Sequence, residues 1–300
     1  MSSNSADEEA DEVCVNCGQA AVDDTNLKLC ACLLVKYCSV DCQLNHRPQH
    51  KKACKKRMTE IRDRSLFQQP DISHFGECPL CCLPLSLDWS KSGKRTCCSK
   101  WVCMGCVYAN KKREMEQGLE HRCPFCREPD AKTKAQRHKN SMKRVKANDP
   151  VAICEMGKEH RDRGQYDAAF AYFKKAAELG LADAHFNLSV LYRKAQGVEV
   201  DLKKEHYHLE EASIGGHPEA RNNLAIIEQR RGRIDRAMQH WIITAKLGLD
   251  AGLGAVKKGF AHGVVSKEDY EAALRGHQEA VDATKSKQRE EADMFCYIEH

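Results

Sequence analysis

Between residues 150 and 283 the chain is written in a helical period. Alanines and other small residues recur at helical spacing, cysteines drop out apart from Cys154, and three segments, AAELGLADAHFNL, EASIGGHPEARNNL and TAKLGLDAGLGAV, align on Gly180, Gly216 and Gly248 at intervals of 36 and 32 residues. A period of that length marks paired-helix repeats. Each unit is expected to hold a first helix such as ADAHFNLSVLYRKA, a loop, and a second helix such as DLKKEHYHLEEASIG, ended by glycine where a left-handed residue is needed. Ala184 and Ala220 would let helices approach closely. Tyr166, Phe170, Tyr172, Phe173, Phe186, Tyr192 and Trp241 read as the fill between them. About four such units cover residues 150–283, and stacked pairs form a concave surface suited to peptides or helices.

The first half of the chain lacks that period. Residues 1–12 are acidic and polar with no apolar spacing, which predicts disorder. KKRMTEIRDRSLFQQ is compatible with a helix that ends before Pro70, because proline disfavours helix at the residue before it. No apolar run approaches the ~18 residues of a membrane span. The amino terminus carries no apolar core of a secretory signal. A soluble chain is expected, cytoplasmic, nuclear or both, with reduced thiols and no membrane partner.

Of the 18 cysteines, 16 fall between Cys14 and Cys126. They form two ladders. The first is Cys14-x2-Cys17, Cys30-x-Cys32, Cys38-x3-Cys42, then His50-x3-Cys54. The second is Cys78-x2-Cys81, the doublet Cys97-Cys98, Cys103-x2-Cys106 and Cys123-x2-Cys126. A two-residue gap lets one tight turn present both sulfurs to one ion, and eight ligands fill two tetrahedral sites. Four structural zinc ions are therefore expected. Domains of roughly 40 to 50 residues bury too little apolar surface to fold alone, and metal binding supplies the deficit.

The first ladder resembles the MYND-type zinc finger, through the opening Cys pair, the KYCSVDCQ segment and the closing His50-x3-Cys54. That resemblance implies interleaved ligands, with Cys14, Cys17, Cys38 and Cys42 on one zinc and Cys30, Cys32, His50 and Cys54 on the other. Two departures stand out: the family usually has two residues between the thiols at Cys30 and Cys32, and often has Trp where this chain has His46, which is read as packing rather than ligating. Members of the family recognise short proline-containing peptides. Leu33, Leu34 and Val35 could serve such a surface, although a miniature core is the favoured reading.

The second ladder resembles a RING-type finger, in CPLCCLPL at its start and CPFCRE at its end. The resemblance implies that Cys78 and Cys81 share a zinc with Cys103 and Cys106, and Cys123 and Cys126 share one with the central doublet. It also implies a docking surface for a ubiquitin-conjugating enzyme at Leu80 and Pro124, with Arg127 placed to contact ubiquitin. Where the usual RING has His, this chain has Lys100, which cannot ligate. The missing ligand falls to Cys97 with Cys98, or else to His121. Cys82 lies outside the spacing and is left as a packed or spare thiol. In the helical half, Gly197-Val198 followed by Asp201 and Lys204 resembles the Sel1-like version of the tetratricopeptide repeat.

The net charge of +5 is modest, but RPQHKKACKKR and seven Lys or Arg without an acid between 131 and 146 are basic clusters. Such runs can bind nucleic acid or direct nuclear import. With no interleaved base-stacking aromatics, nucleic acid is the less favoured partner. Cys154 and Cys296 are isolated.

The fold class expected is a multidomain chain, two small zinc-stabilised α+β fingers followed by an all-α helical-repeat solenoid. Its divisions are an acidic tail 1–12, a MYND-like finger 13–55, a helical linker 56–77, a RING-like finger 78–127, a basic linker 128–149, repeats 150–283 and a tail 284–300. The order resembles multidomain proteins of unicellular algae. It points to a zinc-binding protein-interaction adaptor. That adaptor is either a ubiquitin ligase or a non-catalytic scaffold, with a nucleic-acid-binding protein as the weaker alternative.

Overall fold

The computed structural model describes residues 13–19 and 27–296, except the side chains of 295 and 296. The acidic stretch 1–12 and the side chain of Cys296 lie outside that description. The chain divides into two compact units, Met1–Gln68 and Gln69–His300.

The first unit is a finger built on a hairpin and a long helix. Strands β1 (Lys28–Leu29) and β2 (Lys36–Tyr37) pair antiparallel, with Lys28 opposite Tyr37. Ser39 then caps α1 (Val40–Phe67) by accepting from the Cys42 N–H. The sequence places a helix only after residue 55. In the structure the helix begins fifteen residues earlier and runs through Pro48, so the closing ligands and the expected linker share one continuous element. The core of this unit is small: Cys14, Cys30, Cys32 and Tyr37, with Leu27 and Val35 packed against them.

The second unit joins a second finger to the helical array. The finger contains a short 3-10 turn at Trp89–Lys91, the antiparallel pair β3 (Ser92–Lys94) and β4 (Trp101–Cys103), and α2 (Met104–Glu116). Phe75, Trp89 and Trp101 pack edge to face with centroids 4.5 to 5.8 Å apart. Eight helices then stack as four antiparallel pairs: α4 (Pro150–Asp162) with α5 (Tyr166–Glu178), α6 (Ala182–Lys194) with α7 (Leu202–Ile214), α8 (Pro218–Arg230) with α9 (Ile234–Lys246), and α10 (Asp250–Ala261) with α11 (Lys267–Ala283). Before them comes α3 (Lys134–Lys146), started by a Thr133–Gln136 capping box. After them comes α12 (Lys287–Cys296). The stretches set aside as a basic linker and a tail are thus both largely helical.

Close approach between the helices depends on small residues. Ala184 and Ala220 are fully buried. A Cβ on Gly157 would sit 2.6 Å from the Phe173 ring, so Phe173 packs where only a hydrogen leaves room. Phe173, Tyr192 and Trp241 are buried, while Tyr166, Phe170 and Tyr172 lie partly buried against the core around Phe173. Phe186 stacks on His217 at 4.4 Å.

The second finger packs against the repeats within one compact unit. Lys94 Nζ lies 2.7 Å from Glu155 of α4. The His74 ring stacks on His217 at 4.1 Å, and its backbone N–H donates to the Gly216 carbonyl at 3.0 Å. Gly216 has φ +78°, and a Cβ there would press to 3.1 Å from the Ile72 carbonyl oxygen. This glycine therefore both ends α7 and lets the preceding linker run alongside it.

Candidate metal centres

Five tight turns present ten of the fifteen ligand thiols, and all share one backbone device; Cys38 leads into α1, Cys42 and Cys54 lie on it, and Cys103 and Cys106 stand at the start of α2. In three of the turns the first Cys donates its N–H to the carbonyl five residues on, and the residue four on donates back to its carbonyl: Cys14 with Gln19 and Gly18, Cys78 with Leu83 and Cys82, Cys123 with Glu128 and Arg127. The residue directly after the second Cys is left-handed, with φ of +71° at Gly18, +56° at Cys82 and +63° at Arg127. Only one of the three is glycine. The other two adopt a conformation that costs an L-residue about 1–2 kcal/mol, which the surrounding ligation must overcome.

The doublet follows from the same frame. Arg95 donates to Lys100 and accepts from Ser99, and Ser99 has φ +59°. Arg95 therefore occupies the first-ligand position, Cys98 the second, and Cys97 the position just before it. Adjacent cysteines can reach one ion because the left-handed turn at Ser99 draws both sulfurs to the same side. Cys30-x-Cys32 is a shortened version, in which Leu33 is left-handed and donates to Cys30 three residues back. Its tighter turn absorbs the missing residue.

These turns, with α1, the approach to it at Cys38 and the start of α2, assemble four clusters: Cys14, Cys17, Cys38 and Cys42; Cys30, Cys32, His50 and Cys54; Cys78, Cys81, Cys103 and Cys106; and Cys97, Cys98, Cys123 and Cys126. In each, all ligand atoms lie within 4.8 Å of one another. Sulfurs held at 2.3 Å from a tetrahedral zinc would be ~3.8 Å apart. The observed separations run from 3.4 to 4.0 Å in Cys97–Cys126, Cys38–Cys42, Cys17–Cys38, Cys30–Cys54, Cys81–Cys103 and Cys98–Cys123. The donor sets, all thiol or three thiols with imidazole, are those of closed structural zinc sites. Each of the four fits one ion.

The thiols also need a cation to coexist. Burial works against ionising Cys14, yet backbone N–H groups of Cys38, Cys17 and Asn16 outweigh it and hold the thiol down to about 6. A hydrogen bond from Cys103 holds Cys78 down to about 4 and pushes Cys103 itself far above the usual thiol range. Hydrogen bonding to Cys42 pushes Cys38 up to about 12. Four thiolates so close together repel one another, and a divalent ion removes that repulsion. Burial also favours the neutral imidazole at His50, the form that ligates. Cys103 and Cys106 stand at the start of α2, where the Cys103 sulfur accepts from the Cys106 N–H at 3.4 Å, an electrostatically favourable place for thiolates.

The residues left outside the clusters have other partners. His46 Nδ1 lies 2.9 Å from the Tyr37 hydroxyl, and its ring stacks on His50 at 5.5 Å. His121 Nδ1 lies 3.2 Å from Glu114 Oε2, while the doublet completes the fourth cluster. Glu114 is a buried carboxylate that the sequence reading passed over. It also accepts from the Arg122 N–H at 3.3 Å, and only its place near the end of the helix that starts at the Cys103-x2-Cys106 pair could have hinted at it. Lys100 supplies its carbonyl to the doublet turn. Cys82 is exposed. Burial pushes the Cys154 thiol up, beside Asp183 at 3.6 Å, the environment of an unreactive thiol.

Leu80 is 41% exposed, Pro124 is half-buried, and its neighbour Phe125 is exposed. Arg127 is 48% exposed at its side chain, with Nη1 donating to Asn110 Oδ1 at 2.8 Å. In the first finger the miniature-core reading needs correction. Val35 packs inward, but Leu33 and Leu34 are 56% and 46% exposed, because the left-handed turn at Leu33 carries them out over the surface.

Two zinc fingers and a helical-repeat array make a zinc-binding protein-interaction adaptor. Residues 14–54 match the MYND finger family. No curated protein sequence matches the chain. Among solved structures, the chain is similar to a Sel1 repeat protein from Oxalobacter formigenes, at 20% identity over 59% of this chain and 72% of that one, with a TM-score of 0.43. It is also similar to a protective antigen present in uropathogenic Escherichia coli strains displaying an SLR fold, at 17% identity over 63% of this chain and 40% of that one, with a TM-score of 0.38. The repeat architecture itself stands on this chain's four helix pairs. No described helix is long and apolar enough to cross a membrane.

Proposed function

We propose that the adaptor works as a RING-type ubiquitin ligase, with the second finger receiving a charged conjugating enzyme while the first finger and the repeats hold a client. The observation that carries this reading is the exposure of Leu80 on the Cys78–Cys81 turn, an apolar side chain offered to solvent from a turn that two hydrogen bonds and a metal site hold rigid. Such a ligase needs no side-chain nucleophile. It places a thioester beside a lysine, and its contribution is proximity and orientation. Leu33 and Leu34 offer the first finger an apolar patch suited to a proline-containing peptide.

A second reading has support of its own. Arg127, the residue placed to contact ubiquitin, is hydrogen-bonded to Asn110 and lies 3.9 Å from Glu114. An arginine held that way suits a non-catalytic scaffold. Autoubiquitination with a panel of conjugating enzymes separates the two. The ligase reading expects transfer that Leu80→Ala abolishes with zinc content unchanged. Wild-type protein carrying four zinc ions and transferring nothing would leave the scaffold.

A further inference from the structure

The end of the chain reaches back into the second finger. Arg289, in the first turn of α12, donates from Nη1 to the Pro84 and Thr284 carbonyls, both at 2.7 Å. Its Nη2 donates to the Leu83 carbonyl at 3.2 Å and to Cys81 Sγ at 3.4 Å. Leu83 is the same residue whose carbonyl accepts from the Cys78 N–H. One planar guanidinium thus grips the turn that holds two ligands of the third cluster, and touches one ligand sulfur directly.

The fit is close. A Cβ on Gly105 would lie 2.9 Å from Arg289 Cγ and 3.0 Å from its backbone N and Cα, and no other atoms come as near. Gly105 directly precedes Cys106 in the Cys103-x2-Cys106 pair, the other two ligands of that cluster. A Lys91–Asp293 ion pair at 3.1 Å lies further along α12, and Ala292 is buried.

We propose that Arg289 is an outer-shell residue of the zinc site formed by Cys78, Cys81, Cys103 and Cys106, and that the seating of α12 on Gly105 governs how firmly that site keeps its ion. Arginine suits the task because its rigid fork serves three carbonyls and a thiolate at once, which an ammonium cannot do. An N–H donated to a metal-bound thiolate offsets part of its charge and fixes its orientation, and partners of this kind carry about 10- to 100-fold in metal affinity. The same turn bears Leu80, so release of α12 would also loosen the exposed apolar residue. The proposal does not rest on the ligase reading.

The test is zinc release from the full, zinc-loaded chain into excess chromophoric chelator, with alkylation and mass spectrometry marking which cysteines open first. Arg289→Ala should release one of four ions about 10- to 100-fold faster, with Cys78, Cys81, Cys103 and Cys106 alkylated first and helical circular dichroism retained. The other three ions serve as the internal reference. Gly105→Ala, which lifts α12 without removing the guanidinium, should speed the same single ion. The double variant should be no faster than the worse single one, since both break one contact. Should Arg289→Ala lose its helical signal, Arg289→Lys carries the test, with a smaller acceleration of the same ion. Release at the wild-type rate from both Gly105→Ala and Arg289→Lys, or acceleration spread over all four ions, would overturn the proposal.

Discussion

Replacing Cys82 by glycine should make the second finger more stable while leaving its metal content alone. Cys82 is exposed, belongs to none of the four clusters, and stands at φ +56° directly after Cys81. The conformation costs an L-residue about 1–2 kcal/mol. Glycine removes that cost but adds about 0.5–1 kcal/mol of unfolded-state entropy. The net gain should be about 0.5–1 kcal/mol. For a unit of this size each kcal/mol moves the midpoint by about 2–4 °C, so an upward shift of about 1–4 °C is expected. Trp89 and Trp101 report on this finger, so fluorescence melts in excess zinc, paired with zinc per chain by elemental mass spectrometry, read both halves of the argument. Cys82→Val should go the other way, because a branched side chain tolerates a left-handed backbone less well. Gly18 provides the mirror experiment in the first finger. No atom comes within 4 Å of a Cβ there, so Gly18→Ala should cost about 0.5–1 kcal/mol, the left-handed penalty less the unfolded-state entropy that alanine saves. A fall to three zinc ions in Cys82→Gly would mean that this thiol is a ligand after all. A lowered midpoint at full zinc content would refute the strain argument.

Cys38→Ser should release both ions of the first finger while the repeats keep their helical circular dichroism, since α1 carries ligands to both sites; limited proteolysis that still finds a stable first finger would contradict this. Burial, with Arg221 nearby, holds His240 down to about 3. It stays neutral when folded but takes up a proton when unfolded below its ordinary value near 6.5, so its contribution is present above that pH and is lost as pH falls toward 3. At pH 5 this amounts to about 2 kcal/mol, and His240→Gln should flatten the pH dependence of urea unfolding by that much; equal slopes for the two proteins would sink the idea. Phe173→Ala removes a fully buried ring facing Gly157 and should cost about 3–5 kcal/mol in urea melts, and a loss below 1 kcal/mol would mean that α4 and α5 collapse onto the gap.

The ligand pairs were legible in the sequence because chelation is a short-range matter, while which pairs share an ion was implied only by the resemblance to MYND-type and RING-type fingers. A pair such as Cys123-x2-Cys126 can bring both sulfurs to one ion using only the turn between them, so the spacing already contains the geometry. The helix pairs were legible for a similar reason, since Gly180, Gly216 and Gly248 end helices through their own backbone freedom. What needed the structure was what residue spacing does not encode, both local backbone hydrogen bonding and contacts between residues far apart in the chain. Arg95 taking the first-ligand position of the doublet turn shows only in the backbone hydrogen bonds to Ser99 and Lys100. The outward turn of Leu33 and Leu34 depends on the shortened loop at Cys30. Glu114 claims His121 across the end of α2, and Arg289 crosses some 200 residues of sequence to reach Cys81. A local pattern can announce a turn or a helix, because the forces that make it act between neighbours. Which face of a helix meets which distant turn is decided by packing of the whole unit, and no stretch of the sequence contains that alone.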